Sequence, residues 1–145
     1  MANENGKTVK IKLVSSIIPT EGELEKYEMW LKGSCVKKSG SLYLRYEEVQ
    51  EELTVQTTIK LNPQRSLIKR SGGVNMRLPL NPGVRENGHY ESPFGSLPLI
   101  TDTHQLEIEG MEAENLSGRF LTKYDLIIGG NSVGKYSLEI QYTEE

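Results

Sequence analysis

The side chains best suited to recognise a small molecule are tyrosines and arginines spread over the middle of the chain. The candidate ligand-binding residues are Arg70, Arg77, Tyr46, Tyr90, Thr101 and Tyr124. Arginine pairs with carboxylates, and hydroxyl groups hydrogen-bond polar atoms in pockets that are otherwise apolar. An inward arginine needs a carboxylate or a ligand, because an unpaired buried charge is too costly. The alternative places the arginines outside and makes the tyrosines ordinary cross-strand pairs.

Other patterns resemble chemical sites but lack a required part. Residues 129–135, GGNSVGK, have the spacing of a phosphate-binding loop, but Tyr136 stands where serine or threonine would hold magnesium. The residues that follow alternate as in a strand, so we interpret this segment as a hairpin turn. His89 and His104 lack partners at metal-ligand spacing, apart from Asp102 beside His104. No serine lies in a nucleophile elbow. The sequence predicts no metal, cofactor or catalytic residue, and it disfavours an enzyme.

Charge is distributed unevenly along the chain, although the net charge is only −3. Residues 53–85 contain six basic residues and no acidic one, whereas residues 86–145 contain three basic and eleven acidic residues. The basic stretch could attract an anionic ligand. The alternative is that basic strands lie beside acidic strands and neutralise them across the sheet. A pI near 5.5 has the wrong sign for a surface that reads phosphates, so nucleic-acid binding by the whole domain is disfavoured.

Short strands must position these side chains. Apolar and polar residues alternate with a period of two in residues 9–13, 42–46, 119–128 and 136–142. Glycine, asparagine and proline separate such segments, and Ser39-Gly40 predicts a tight hairpin turn. No segment shows a sustained apolar period of 3.6 residues. Roughly 8–10 strands of this kind predict an all-β fold, a single closed or nearly closed antiparallel barrel or else a sandwich.

Length and composition predict one domain over residues 1–145. Hydrophobic residues make up 36% and charged residues 26%, which is ordinary for a globular protein. No apolar run approaches the roughly 20 residues of a membrane span, so no membrane is expected. The polar N-terminus shows no signal-peptide pattern, and Cys35 alone permits no internal disulfide. We therefore expect a cytoplasmic protein, with Cys35 a small core residue rather than a nucleophile.

Four segments together resemble one protein family. They are residues 42–48 (LYLRYEE), residues 68–72 (IKRSG), Tyr90 with Pro93-Phe94-Gly95, and residues 124–126 (YDL). In this order they are similar to the YwiB-like family, small proteins of Gram-positive bacteria, over nearly the whole chain. The resemblance implies a calycin-type β-barrel, similar in shape to lipocalins, in a cytoplasmic protein. It implies no binding residues, so a ligand inferred from the barrel rests on analogy of fold alone.

Two hypotheses of function follow from the residues. In the first, the barrel binds a small, partly apolar and anionic ligand in its cavity, and Arg70 and Arg77 contact that ligand. In the second, the barrel is solidly packed, and its outer surface binds a protein partner or a second copy of the chain. The uneven charge motivates the second hypothesis. Sequence alone leaves open whether the barrel is hollow and which way the arginines and tyrosines point.

Overall fold

Ten antiparallel strands form a closed barrel in the computed structural model, which describes residues 6–50, 52–111 and 115–145. The strands are β1 Lys7–Pro19, β2 Glu25–Lys38, β3 Ser41–Gln50, β4 Leu53–Leu61, β5 Ser66–Gly72, β6 Asn75–Leu80, β7 Arg85–Ser92, β8 Gly95–Glu109, β9 Ser117–Ile128 and β10 Asn131–Glu144. Each strand pairs with the next, and β10 pairs with β1. The predicted antiparallel barrel is confirmed. The first residues, where no signal peptide is predicted, lie outside the described residues.

Hairpin connections define the two ends of the barrel. The lower end carries the start of β1, the end of β10 and the turn at Ser39-Gly40, and the upper end carries the turn between β9 and β10. Ser39 and Gly40 have φ angles of 52° and 81°, which match the twist of the flanking strands. Gly129 and Gly130 have φ angles of 60° and 83° at the upper turn. The segment that resembles a phosphate-binding loop is therefore a hairpin turn, as predicted. Among the described residues, no helix is long and apolar enough to span a membrane.

Apolar side chains fill the lower half of the barrel. Inward positions of nearly every strand contribute to this core, because alternate residues of each strand face the interior. Its fully buried members are Val9, Leu42, Leu44, Ile59, Leu61, Leu80, Phe120 and Ile140, together with nearly buried Ile11, Cys35, Leu99 and Tyr142. Cys35 is thus a core residue, as expected from the sequence. This half of the barrel is a packed core rather than a cavity.

The wall between β6 and β7 is closed partly by β8. β6 and β7 pair over only three residues of each strand, ending at Arg77 opposite His89. Beyond that point, the Thr101 hydroxyl of β8 donates a hydrogen bond of 2.5 Å to the carbonyl oxygen of Pro79 in β6. Thr101 is fully buried, so this bond replaces a missing pair of the sheet.

Replacing Thr101 by valine is expected to lower the free energy of unfolding by about 1–2 kcal/mol. The substitution keeps the shape of the side chain but leaves the buried Pro79 carbonyl without its donor. Urea unfolding followed by circular dichroism measures the difference. The exposed Thr8→Val variant serves as control, with an expected change within about 0.5 kcal/mol. Equal stability of the two variants would show that the Thr101 hydroxyl does not hold β8 to β6.

Candidate functional site

A layer of polar side chains lies inside the barrel, directly above the apolar core. It consists of Tyr46, Glu48, Thr57, Arg70, Thr103 and Tyr124, and we call it the polar layer. The register of the sheet assembles it from residues far apart in sequence. Tyr46 lies opposite Thr57 across β3 and β4, and Thr57 lies opposite Arg70 across β4 and β5. Thr103 lies opposite Tyr124 across β8 and β9.

Arg70 faces the interior and is paired there with a carboxylate. Its Nη2 atom lies 3.6 Å from Oε1 of Glu48, and the two side chains are 25% and 14% exposed. Arg70 follows buried Ile68 by two residues on β5 and therefore shares its face, whereas Lys69 between them is exposed on the other face. The pair fulfils the condition set by the sequence, that an inward arginine needs an opposite charge. An acidic ligand would compete with Glu48 for the guanidinium group.

The two tyrosines of the polar layer are held in the neutral form. Burial raises the pKa of Tyr46 to about 12, Glu48 adds to the shift, and Arg70 opposes it. Burial also raises the pKa of Tyr124, whose ring stacks on that of Tyr136 with centroids 5.3 Å apart. Both hydroxyls therefore keep their protons at neutral pH and can donate hydrogen bonds into the interior.

One buried hydroxyl group of the polar layer, that of Thr103, lacks a hydrogen-bond partner among the described residues, although Thr103 is only 1% exposed. The hydroxyl of Thr57, 2% exposed, lies within hydrogen-bond reach of Tyr46. Leaving a buried hydroxyl unsatisfied costs about 1–3 kcal/mol, so native proteins seldom keep one without a reason. A polar atom of a small molecule beside β8 and β9 would satisfy Thr103.

The wall of the barrel opens beside this layer. β2 and β3 pair only up to Gly33 opposite Tyr46. Above that pair, within the part of the chain that the structure describes, residues 25–32 of β2 pair with β1 alone and residues 47–50 of β3 pair with β4 alone. A cleft of about 550 Å³ lies at the base of the opening, lined mainly by residues 32–34, 45–47 and 56–58, and we call it the lateral cleft. Most of its lining residues, among them Lys32, Arg45 and Glu47, lie on the outer face of the sheet, and Tyr46 and Thr57 also line it, so the cleft borders the polar layer from the outer side of the wall.

The structure separates the other residues predicted from sequence. Tyr90 is half-buried and lies opposite Met76 on the inner face of the upper half. Thr101 is inside but lower, and its hydroxyl is already bonded to Pro79. Arg77 lies on the outer wall, where it lines a groove of about 120 Å³ with Lys60 and Arg65. Of the six predicted residues, the structure therefore brings Tyr46, Arg70 and Tyr124 together.

Sequence reasoning missed Glu48, Thr57 and Thr103. Glu48 carries a weak signal, because it follows Tyr46 by two residues in an alternating strand and therefore shares its face. Thr57 and Thr103 carry none, since threonine is common in strands on either face. Only the pairing of β4 with β3 and β5, and of β8 with β9, shows that these hydroxyls meet the tyrosines and Arg70.

A second polar group lies on the outer wall of β8 and β9. A bulge in β8 falls between Thr103 and Gln105, and the Nε2 atom of His104 lies 3.1 Å from Oδ2 of Asp125. Asp102 joins them, so three potential metal ligands have donor atoms within 4.8 Å of one another, one more than the sequence suggested. The Nε atom of Arg85 lies 3.4 Å from Oδ2 of Asp102, and Lys135 lies opposite Asp125. These cations balance both carboxylates, so we interpret the group as a charge network.

The structure defines a class of protein, a small antiparallel β-barrel with an apolar lower core, an inner polar layer and an opening in its wall. A family model described as a domain of unknown function, DUF1934, matches residues 11–140. The chain belongs to this family.

Two comparisons with Bacillus subtilis YwiB agree with this assignment. The chain is 28% identical over 129 residues to the "Uncharacterized beta-barrel protein YwiB", which covers 89% of each chain. The crystal structure of YwiB superposes with a TM-score of 0.84 at 25% identity, over 99% of this chain and 94% of that one. The resemblance drawn from the sequence is confirmed.

The stability of the barrel is expected to fall in alkaline solution. Burial raises the pKa of the Cys35 thiol from 9.0 to about 12 and that of Tyr46 from 10.0 to about 12. The unfolded chain releases these protons first, so unfolding becomes easier as pH rises. Stability is fully present below about pH 9 and is lost progressively up to about pH 12.

Urea unfolding at a series of pH values measures this loss. The Tyr46→Phe variant should lose less stability than the wild type between about pH 10 and pH 12, because it has no proton to release at that position. A wild-type stability that stays constant up to about pH 12 would contradict the burial of these groups.

Proposed function

We propose that this protein binds one small, partly apolar ligand at the polar layer, reached through the lateral cleft and the upper end of the barrel. The observation that carries the proposal is the buried, unsatisfied hydroxyl of Thr103, which lies opposite Tyr124 in this layer. The lateral cleft, about 550 Å³ in volume, borders the same layer from the outer side of the wall and is the proposed route to it. The ten-stranded barrel also encloses more space than an eight-stranded one, which holds at most a small ligand.

The polar end of the ligand is one that accepts hydrogen bonds. Arg70 and the mutually hydrogen-bonded hydroxyls of Tyr46 and Thr57 face the same part of the interior. An uncharged accepting group, such as a carbonyl, fits best, because an anion that displaced Glu48 from Arg70 would deprive this largely buried carboxylate of its guanidinium partner. Arg77 and the other basic side chains of the outer wall take no part, because they lie on the opposite side of the sheet.

The apolar part of the ligand extends toward the upper end. Exposed apolar side chains are concentrated there, among them Tyr27, Leu53, Phe94 and Leu97. Tyr27 and Leu97 lie two residues from inward Met29 and Leu99, so they share the inward face of their strands and stand at the inner rim. A ligand with an apolar body would cover these groups while its polar end reaches the layer below.

Native mass spectrometry of freshly purified protein tests the proposal. We expect extra mass that disappears when the protein is denatured, and the identity of that molecule would define the ligand class. Arg70→Ala should weaken its binding roughly 10- to 100-fold, as expected for a lost charge-assisted hydrogen bond. Arg77→Ala is the matched control, with the same change on the outer wall of the neighbouring strand. Loss of ligand in both variants, or in neither, would contradict the proposed site, as would a wild type that carries none.

A second candidate function is a protein-interaction module whose barrel binds no small molecule. The packed lower core and the unpaired edge of β2 above Gly33 favour it. In native mass spectrometry, such a module would show the mass of the protein chain with no added mass from a small molecule. Its partner would then have to engage the outer surface of the barrel rather than the polar layer.

A further inference from the structure

The upper part of β2 is an open edge of the sheet. Residues 25–32 pair with β1 on one side, and among the described residues no strand pairs with them on the other. Such an edge presents backbone N–H and C=O groups in the pattern that another extended chain satisfies. An edge of this length is therefore a site at which a further extended chain can add by backbone hydrogen bonds, and its side chains decide which chain fits.

Exposed apolar side chains follow the same edge. Leu24 is 61% exposed, Tyr27 53% and Trp30 69%. Trp30 lies on the outer face of β2, where the Nζ atom of Lys12 in β1 lies 5.9 Å from the centroid of the Trp30 ring. Exposed apolar side chains are usually scattered singly over a protein surface, whereas three large ones lie within seven residues here.

We propose that a second copy of this chain pairs with this edge, β2 against β2, in an antiparallel arrangement with the twofold axis at Tyr27. The self-complementarity of the sequence selects this occupant. In this register Lys26 lies opposite Glu28 of the second copy, and Glu28 lies opposite its Lys26. Leu24, which directly precedes β2, would extend the pairing opposite Trp30, and Tyr27 lies opposite itself. Opposite charges and apolar pairs at facing positions stabilise antiparallel strands.

Neighbouring registers lack this complementarity. Residues that face each other in an antiparallel pair lie on the same side of the sheet. The twofold axis must therefore pass beside a residue and not between two residues, and the neighbouring registers have their axes at Glu28 or Met29. An axis at Glu28 places this carboxylate opposite its own copy, and an axis at Met29 places Lys26 opposite Lys32. Like charges at facing positions destabilise the pair. A symmetric dimer with one such interface is closed and does not grow into a fibre.

Sedimentation velocity over a wide range of protein concentration tests the proposal. The wild type should change from monomer to dimer as concentration rises. Lys26→Glu and Glu28→Lys should each weaken dimerisation at least about tenfold, since either change puts like charges opposite each other twice per dimer. The double variant K26E/E28K exchanges the two charges and should restore the dimer. Lys10→Glu, an exposed change on the outer face of β1, is the control and should leave dimerisation unchanged.

The outcomes separate this inference from competing arrangements. A wild type that remains a monomer at the highest concentration overturns it. Dimerisation that neither single variant weakens, or that the double variant fails to restore, overturns the pairing at Tyr27 and indicates another surface. All of these positions are exposed, so circular dichroism should show the same fold for every variant. The charge exchange separates this inference from the proposed ligand, because Lys26 and Glu28 lie on the outer face of β2 whereas the polar layer faces the interior, and Tyr27 at the inner rim is unchanged in every variant.

Discussion

Replacing Phe120 by alanine is expected to lower the free energy of unfolding by about 3–5 kcal/mol, the usual cost of deleting a buried phenyl ring. Phe120 is completely buried in β9, directly between Ile108 of β8 and Ile140 of β10. The barrel closes around this position through pairing on both sides, so the neighbouring strands cannot collapse into the space left behind. Urea unfolding followed by circular dichroism measures the loss.

The chain contains a matched control for this experiment in its second phenylalanine. Phe94 lies in the turn between β7 and β8 and is 99% exposed. Phe94→Ala should therefore change the free energy of unfolding by no more than about 0.5 kcal/mol. A similar loss in the two variants would mean that Phe120 is not in the core, and it would refute the register of β8, β9 and β10.

Replacing Gly33 by alanine is expected to cost about 3 kcal/mol, at the upper end of the range for overpacked sites. An alanine Cβ at this position would lie 2.2 Å from the carbonyl oxygen of Arg45 and 2.8 Å from Cδ1 of Ile11. The Ile11 side chain can rotate, but the Arg45 carbonyl belongs to β3. Moving it separates β3 from β2 at the uppermost pair the two strands share.

The same substitution should also loosen the wall beside the lateral cleft. Hydrogen exchange of the amide groups in residues 33–36 and 43–46 should become faster in Gly33→Ala, since these residues pair β2 with β3. Ser34→Ala, one residue along β2, is the control and should leave both stability and exchange nearly unchanged. A Gly33→Ala variant as stable as the wild type would show that the strands do not approach as closely as described.

The order of strands and turns could be predicted from the sequence. Period-two alternation, as in residues 42–46, marks strands because only an extended chain places alternate residues on one face. Paired residues with positive φ, such as Gly129 and Gly130, mark hairpin turns because few other residues adopt that conformation readily. These signals are local, so they need no knowledge of distant contacts. They were sufficient for an all-β fold, a barrel or a sandwich, and for the interpretation of GGNSVGK as a turn, whereas the family resemblance favoured the barrel.

The face of a charged residue was only partly predictable. Arg77 alternates with Met76 and buried Leu78, so its strand pattern already points it away from the core. Arg70 lies near the end of the short strand β5 and is followed there by Ser71 and Gly72, so its own strand offers few apolar residues to set the face. Its inward direction became clear only from pairing with β4 and from the Glu48 carboxylate across the interior. Local alternation determines the relative face of two residues in one strand, not which face is inside.

By itself, the sequence determined the fold class, the family, the turns and most of the strands of this protein. Only the tertiary structure decided that Tyr46, Thr57, Arg70 and Tyr124 form one layer, and that β2 leaves β3 above Gly33. The physical reason is that backbone alternation acts between adjacent residues. Register and barrel closure, in contrast, depend on packing among all ten strands at once.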